Sequence, residues 1–141
     1  MIRFLFPLVS ISIVLTGCHQ SPQTPIKAET DDLSLILHVP DSAEVEQEFD
    51  IKATIKNKTD HTLVLTHARP LIQFIVGGKG YGTEDIRLKT TLGPGETFSR
   101  KKTLSIDSNG PLSIKLTTTL SEVNGIPSKE METKEHNILI E

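Results

Sequence analysis

The chain has 141 residues, with 15 Lys and Arg against 18 Asp and Glu, a formal charge of −3 and a single cysteine. That length suits one ordinary domain, and the interleaved charges leave neither a positive stripe for nucleic acid nor a polybasic segment for anionic lipid. With no Trp, one Tyr and five Phe, no base-stacking platform is expected.

Met1-Ile2-Arg3 carries one positive charge and leads into FLFPLVSISIVL, Phe4 to Leu15. A dozen or so apolar residues match the core of a secretory signal peptide and fall short of the about 20 that span a bilayer as a helix. LTGC, Leu15 to Cys18, follows and resembles a bacterial lipobox, in which one large apolar residue and two small ones precede a cysteine. The resemblance implies that residues 1–17 are a lipoprotein signal peptide, cleaved between Gly17 and Cys18. It also implies a diacylglyceryl group in thioether linkage on the Cys18 sulfur. Two acyl chains, palmitate for example, hold to a bilayer where one binds marginally, at about 0.8 kcal/mol per buried CH₂. A lone cysteine in an exported chain needs a use, and lipidation supplies one. The expected location is the cell membrane, lipid-anchored on its extracytoplasmic side, with the bilayer as partner through Cys18.

QSPQTPIKAET, Gln20 to Thr30, is polar, contains Pro22 and Pro25 and shows no apolar period. Together with the lipidated terminus it reads as a flexible tether over residues 18–30, reaching at most about 40 Å. From Asp31 the pattern alternates. LSLILHV (Leu33 to Val39) is rich in strand formers. DSAEVEQEF is at most a helical turn or an irregular loop. EFDIKATIK (Glu48 to Lys56) puts Phe49, Ile51, Ala53 and Ile55 on one face and charges on the other, as a half-buried strand does. NKTD is turn chemistry and HTLVLTH reads as its return strand. PLIQFIVGG, EDIRLKTTL, TFSRKKTLSI and LSIKLTTTL follow as further runs, parted by GGKGYG, GPGE and DSNGP. Asn124-Gly125 is the strongest short hairpin signal, and HNILI closes the chain. Seven or eight short strands at such spacing predict an all-β, antiparallel, immunoglobulin-like sandwich over residues 31–141. Cys18 being committed, no disulfide is expected in it.

Two stretches carry a family resemblance. FDIKATIKNKTDHTLVL and LGPGETFSRKKTLSI are similar to bacterial immunoglobulin-like lipoprotein domains, and more loosely to the intracellular proteinase inhibitors of bacilli. What the resemblance implies is the sandwich fold. No inhibitory residues carry over, since the chain lacks Trp and its lipobox points outside the cytoplasm.

No catalytic, cofactor or metal residues are expected. His61 and His67 flank one strand on the same face, about 20 Å apart, whereas zinc needs three or four converging ligands. Asp31-Asp32 and Glu84-Asp85 are adjacent pairs, whose members point to opposite faces of a strand. The loop singled out for binding is GGKGYGTED, Gly77 to Asp85. Its glycines allow unusual backbone angles, Lys79 adds charge and Tyr81 offers an amphipathic ring. Arg100-Lys101-Lys102 reads as a charge-defended edge, or as a contact for an anionic partner. The expected function is a membrane-anchored, non-catalytic binding module for an envelope protein, cell-wall component or small ligand. The alternative is an extracytoplasmic proteinase inhibitor or enzyme modulator.

Overall fold

The computed structural model describes residues 23–141. The expected signal peptide, the expected Gly17–Cys18 cleavage junction and residues 18–22 of the expected tether lie outside the described residues. Ten strands follow one another: β1 (Gln23–Glu29), β2 (Leu33–Pro40), β3 (Ser42–Ala43), β4 (Glu48–Asn57), β5 (Leu63–Val76), β6 (Glu84–Leu92), β7 (Thr97–Ser105), β8 (Gly110–Val123), β9 (Ile126–Pro127) and β10 (His136–Ile140). One sheet runs β1-β2-β4-β7; the other runs β3-β10-β8-β5-β6, with β9 folded onto β8. All pairings are antiparallel except that of β3 with β10. The expected all-β sandwich is the architecture observed, without a helix among the described residues.

The period-two faces build the core. Leu33, Leu35, Leu37 and Val39 of β2 and Ile51, Ala53 and Ile55 of β4 are buried against Leu65, Ile72 and Phe74 of β5 and Ile114 and Leu116 of β8. Each such side chain contributes roughly 1.5–3 kcal/mol on burial. The buried polar residues are paired as well. Thr133 Oγ1 accepts from Leu116 N–H and Thr118 Oγ1 from Met131 N–H, each at 2.9 Å.

Three expectations need correction. Residues 23–29 of the expected tether are a strand, in register with β2 from Gln23↔Pro40 to Glu29↔Ser34. Only Ile26 and Ala28 of this stretch pack against the core. That is too few to show an apolar period, but sufficient once β2 presents an open edge. Pro25 fits because the ladder leaves it outward. Lys58 N–H donates to Asp32 O, so the even residues of β2 bond to β4 and its odd residues bond to β1 at 24, 26 and 28. The nitrogen of Pro25 therefore faces away from the sheet, where a missing donor costs nothing.

The second correction concerns NKTD, which is no hairpin turn. It carries the chain from β4 in one sheet to β5 in the other. HTLVLTH and PLIQFIVGG then form one strand rather than two, with both of its ladders shifting register between Thr66 and Ile72. Pro70, preceded by a cis peptide bond, lies in that interval and has no N–H to give a ladder. The third is minor: DSAEVEQEF contains the two-residue β3 and a turn, with no helical part. Asn124-Gly125 makes the expected hairpin. Both residues have positive φ, 51° and 76°, as a two-residue type I′ turn requires, and Val123 pairs with Ile126.

Candidate functional site

The phase of the β4–β7 ladder determines where the basic triplet points. Asn57 N–H donates to Glu96 O at 3.0 Å, so the odd residues of β4 bond to β7. Phe98, Arg100, Lys102 and Leu104 stand opposite Ile55, Ala53, Ile51 and Phe49. Residues paired across a ladder share a face. The inward face of this edge strand therefore reads Phe-Arg-Lys-Leu, with two cations on the core side. Their aliphatic stems can lie along apolar surface while the charged heads leave at the flank.

Both heads find partners there. Arg100 Nη1 donates to Ile72 O at 2.7 Å, and its guanidinium carbon lies 5.8 Å from the centroid of the Phe74 ring. Lys102 Nζ stands 3.7 Å from the centroid of the Tyr81 ring, which is cation–π geometry. Lys101, with the opposite parity, points to the outer face, where it lies 3.3 Å from Asp50. Thr103 Oγ1 donates to the other Asp50 oxygen at 2.6 Å. The Thr103 hydroxyl first, and then Lys101, hold the Asp50 carboxyl below its ordinary value. Arg100 and Lys102 form no ion pair among the described residues.

Tyr81 reaches this place from the glycine-rich loop, which has two parts. Gly77 and Gly78, with φ of 58° and 76°, make a two-residue turn. Val76 and Lys79 close it with two backbone hydrogen bonds of 3.0 Å. Residues 80–83 then pass the edge of β5. A Cβ on Gly80 would fall 2.6 Å from Ile75 Cδ1, so a larger residue there would push the Ile75 side chain aside. Gln73 Nε2 donates to Tyr81 O. The loop is thus tied to β5 while the Tyr81 side chain stays 66% exposed. Lys102, as a donor toward the phenol oxygen and then as a nearby charge, lowers the Tyr81 pKa from its ordinary value.

Pro70, Gln73 and Phe74 of β5, Tyr81, and Arg100 to Lys102 of β7 enclose a cleft of about 250 Å³. Two features noted separately in the sequence, the tyrosine loop and the basic triplet, meet in it. Lys79 is exposed and lies outside the lining. A wider groove, about 440 Å³, opens where β1 begins and is lined partly by Glu44, Glu48, Asp50 and Glu141. Among the described residues, Asp50 alone of these four carboxylates has a side-chain hydrogen bond or ion pair.

The remaining candidates do not gather. His61 is exposed, 3.4 Å from Asp60. His67 is buried, with Nδ1 2.6 Å from Ala68 O and Nε2 2.8 Å from Thr90 Oγ1. A carbonyl only accepts, so Nδ1 carries the hydrogen. Among the described residues no three His, Cys, Asp or Glu cluster as metal ligands. Glu84 lies 3.5 Å from Arg69 on the surface, and Asp31, Asp32 and Asp85 are exposed. One residue that the sequence reading passed over is Asn57. Its Nδ2 donates to the carbonyls of His61, Leu92 and Gly93 at 2.8, 3.1 and 3.0 Å. Its Oδ1 accepts from Thr59 N–H at 2.8 Å. The asparagine turn and the PGE turn are thereby two halves of one clamp.

No protein-family model matches the chain, and no curated protein matches it in sequence. Solved structures match in fold. The crystal structure of a CARDB domain from Pyrococcus furiosus, in complex with di-metal ions, aligns with a TM-score of 0.54 at 16% identity, over 82% of this chain and 90% of that one. The solution structure of the same domain aligns at 0.51 and 15%, over 77% and 94%. A β-glucosidase from Listeria innocua aligns at 0.45 and 13%, over 78% of this chain and only 16% of its own, and carries no argument. The sandwich of this chain is therefore an immunoglobulin-like fold similar to that of CARDB domains.

Proposed function

We propose that the chain is a membrane-anchored extracytoplasmic lipoprotein whose sandwich is a non-catalytic binding module. The observation that carries the binding part is the cleft itself. An exposed aromatic ring from the β5–β6 loop and two cations of β7 that form no ion pair among the described residues are held together at an open flank by specific contacts. Aromatic and arginine side chains are the ones that most often anchor partners. A cleft of about 250 Å³ lies below the usual range of roughly 300–1,000 Å³ for small-molecule sites. This favours one or two groups of a larger partner, such as an envelope protein or wall component, over a cofactor.

The anchor rests on LTGC and the apolar run, Phe4 to Leu15, that precedes it. Mass spectrometry of the chain isolated from membranes should find Cys18 as the first residue, carrying a diacylglyceryl thioether. An unmodified Cys18 or another mature terminus defeats this part. For the cleft, in-cell crosslinking and capture should lose its partner on Tyr81→Ala, with thermal unfolding nearly unchanged. Equal capture would remove the loop from the site. Inhibition of a proteinase by loop insertion is not favoured, because the turn from Val76 to Lys79 spans two residues and is closed by its own hydrogen bonds. Nor does the di-metal binding of the Pyrococcus furiosus domain transfer, for want of a ligand cluster among the described residues.

A further inference from the structure

Edge strands expose backbone groups that pair readily with another chain. Among the described residues no strand pairs with β7 on the side away from β4. Because Phe98, Arg100, Lys102 and Leu104 bond to β4, the N–H and C=O groups of Thr97, Ser99, Lys101, Thr103 and Ser105 point outward along nine residues.

The other long edges differ in charge. β1 carries one Lys and one Glu, and β6 balances Glu84 and Asp85 against Arg87 and Lys89. β7 holds Arg100, Lys101 and Lys102 and no acid. Exposed apolar side chains lie at this flank too: Phe98 on the inward face of β7 (37% exposed) and Tyr81 in the loop. Positive charge along an edge rejects a second copy of itself and most neutral strands, while a strand of opposite charge is attracted.

We infer that β7 accepts an extended acidic segment of a partner protein as a fifth strand of its sheet. Backbone hydrogen bonds would run to the outward groups of Ser99, Lys101 and Thr103. Acidic side chains on the inward face of the added strand would meet Arg100 and Lys102, and its apolar ones would cover Phe98 and Tyr81. Recognition by strand addition draws affinity from the main chain and specificity from alternate side chains. This inference rests on the binding-module reading and specifies its partner.

The test uses the full chain in detergent micelles and a fluorescent peptide of about nine residues, with Thr on one face and Glu at two central positions between Val residues on the other, read by anisotropy. Binding should weaken with salt. Proline at alternate positions of the peptide should weaken it about tenfold or more, since proline cannot donate to a ladder. Ser99→Pro should do the same, because the Ser99 N–H serves no backbone bond among the described residues. Should that variant fail to fold, hydrogen exchange of the unaltered chain answers instead. Added peptide should protect the amides of Ser99, Lys101 and Thr103 and leave those of Phe98, Arg100 and Lys102 as they were. Equal binding of the proline peptide, tighter binding of inorganic polyphosphate, or no protection at the outward amides overturns the acidic strand. If the peptide is inert while Tyr81→Ala still abolishes capture in cells, the strand is wrong and the binding module stands.

Discussion

Two polar regions of this sandwich solve opposite problems. At one end, Asn57 is fully buried and its amide group is spent on the chain's own carbonyls, locking the crossing from β4 to β5 onto the crossing from β6 to β7. At the flank, Arg100, Lys102 and Tyr81 also bridge the sheets, but through one carbonyl and two aromatic faces, with the charges open to water. The first region is closed to a ligand because every side-chain donor and acceptor is used. The second retains unspent charge, ring surface and strand edge. In a domain this size, a binding surface lies where the polar groups are positioned but not consumed.

The contrast can be broken at its strongest point first. Asn57→Ala should cost about 3 kcal/mol or more, since buried carbonyls lose their donor. Equilibrium denaturation of the full chain measures this, and a loss near zero would mean that the clamp is not a structural device. Arg100→Ala should cost about 1 kcal/mol, because an exposed guanidinium gains little beyond one hydrogen bond and the packing of its stem. A loss equal to that at Asn57 would erase the distinction between the two regions.

The smallest effect on stability sharpens the comparison most. Tyr81 is the only tyrosine, so its ultraviolet titration is free of overlap. Its folded pKa is lowered, so the fold favours the phenolate. The resulting stabilisation is present above the unfolded value of about 10 and is lost as pH falls through the lowered folded value. At neutral pH it contributes nothing. Lys102→Gln should return the titration to about 10 with no measurable change in neutral stability. An unchanged titration would separate Lys102 from the ring.

How much of this was legible beforehand differs by residue. The core faces of β2, β4 and β8 were, because the alternation of Leu33 to Val39, Ile51 to Ile55 and Leu112 to Leu116 leaves little choice of face. The inward position of Arg100 and Lys102 was legible in principle, since they share parity with Phe98 and Leu104, yet a run of three charges reads at first as a solvated edge. β1 was not, because Ile26 and Ala28 among polar neighbours make a strand only when β2 lies beside them. Nor was the partnership of Asn57 with Leu92 and Gly93, some 35 residues away in the chain.

By itself the sequence determined that the domain is built of strands, the faces of β2, β4 and β8 that would be buried and the tight Asn124-Gly125 turn, because each depends on neighbours a few residues apart. Tertiary structure alone decided which turns are hairpins and which cross between sheets. It also decided that Tyr81 and Lys102 share one cleft. Turn chemistry constrains local backbone angles, whereas sheet membership is set by which distant apolar faces and unpaired edges satisfy one another.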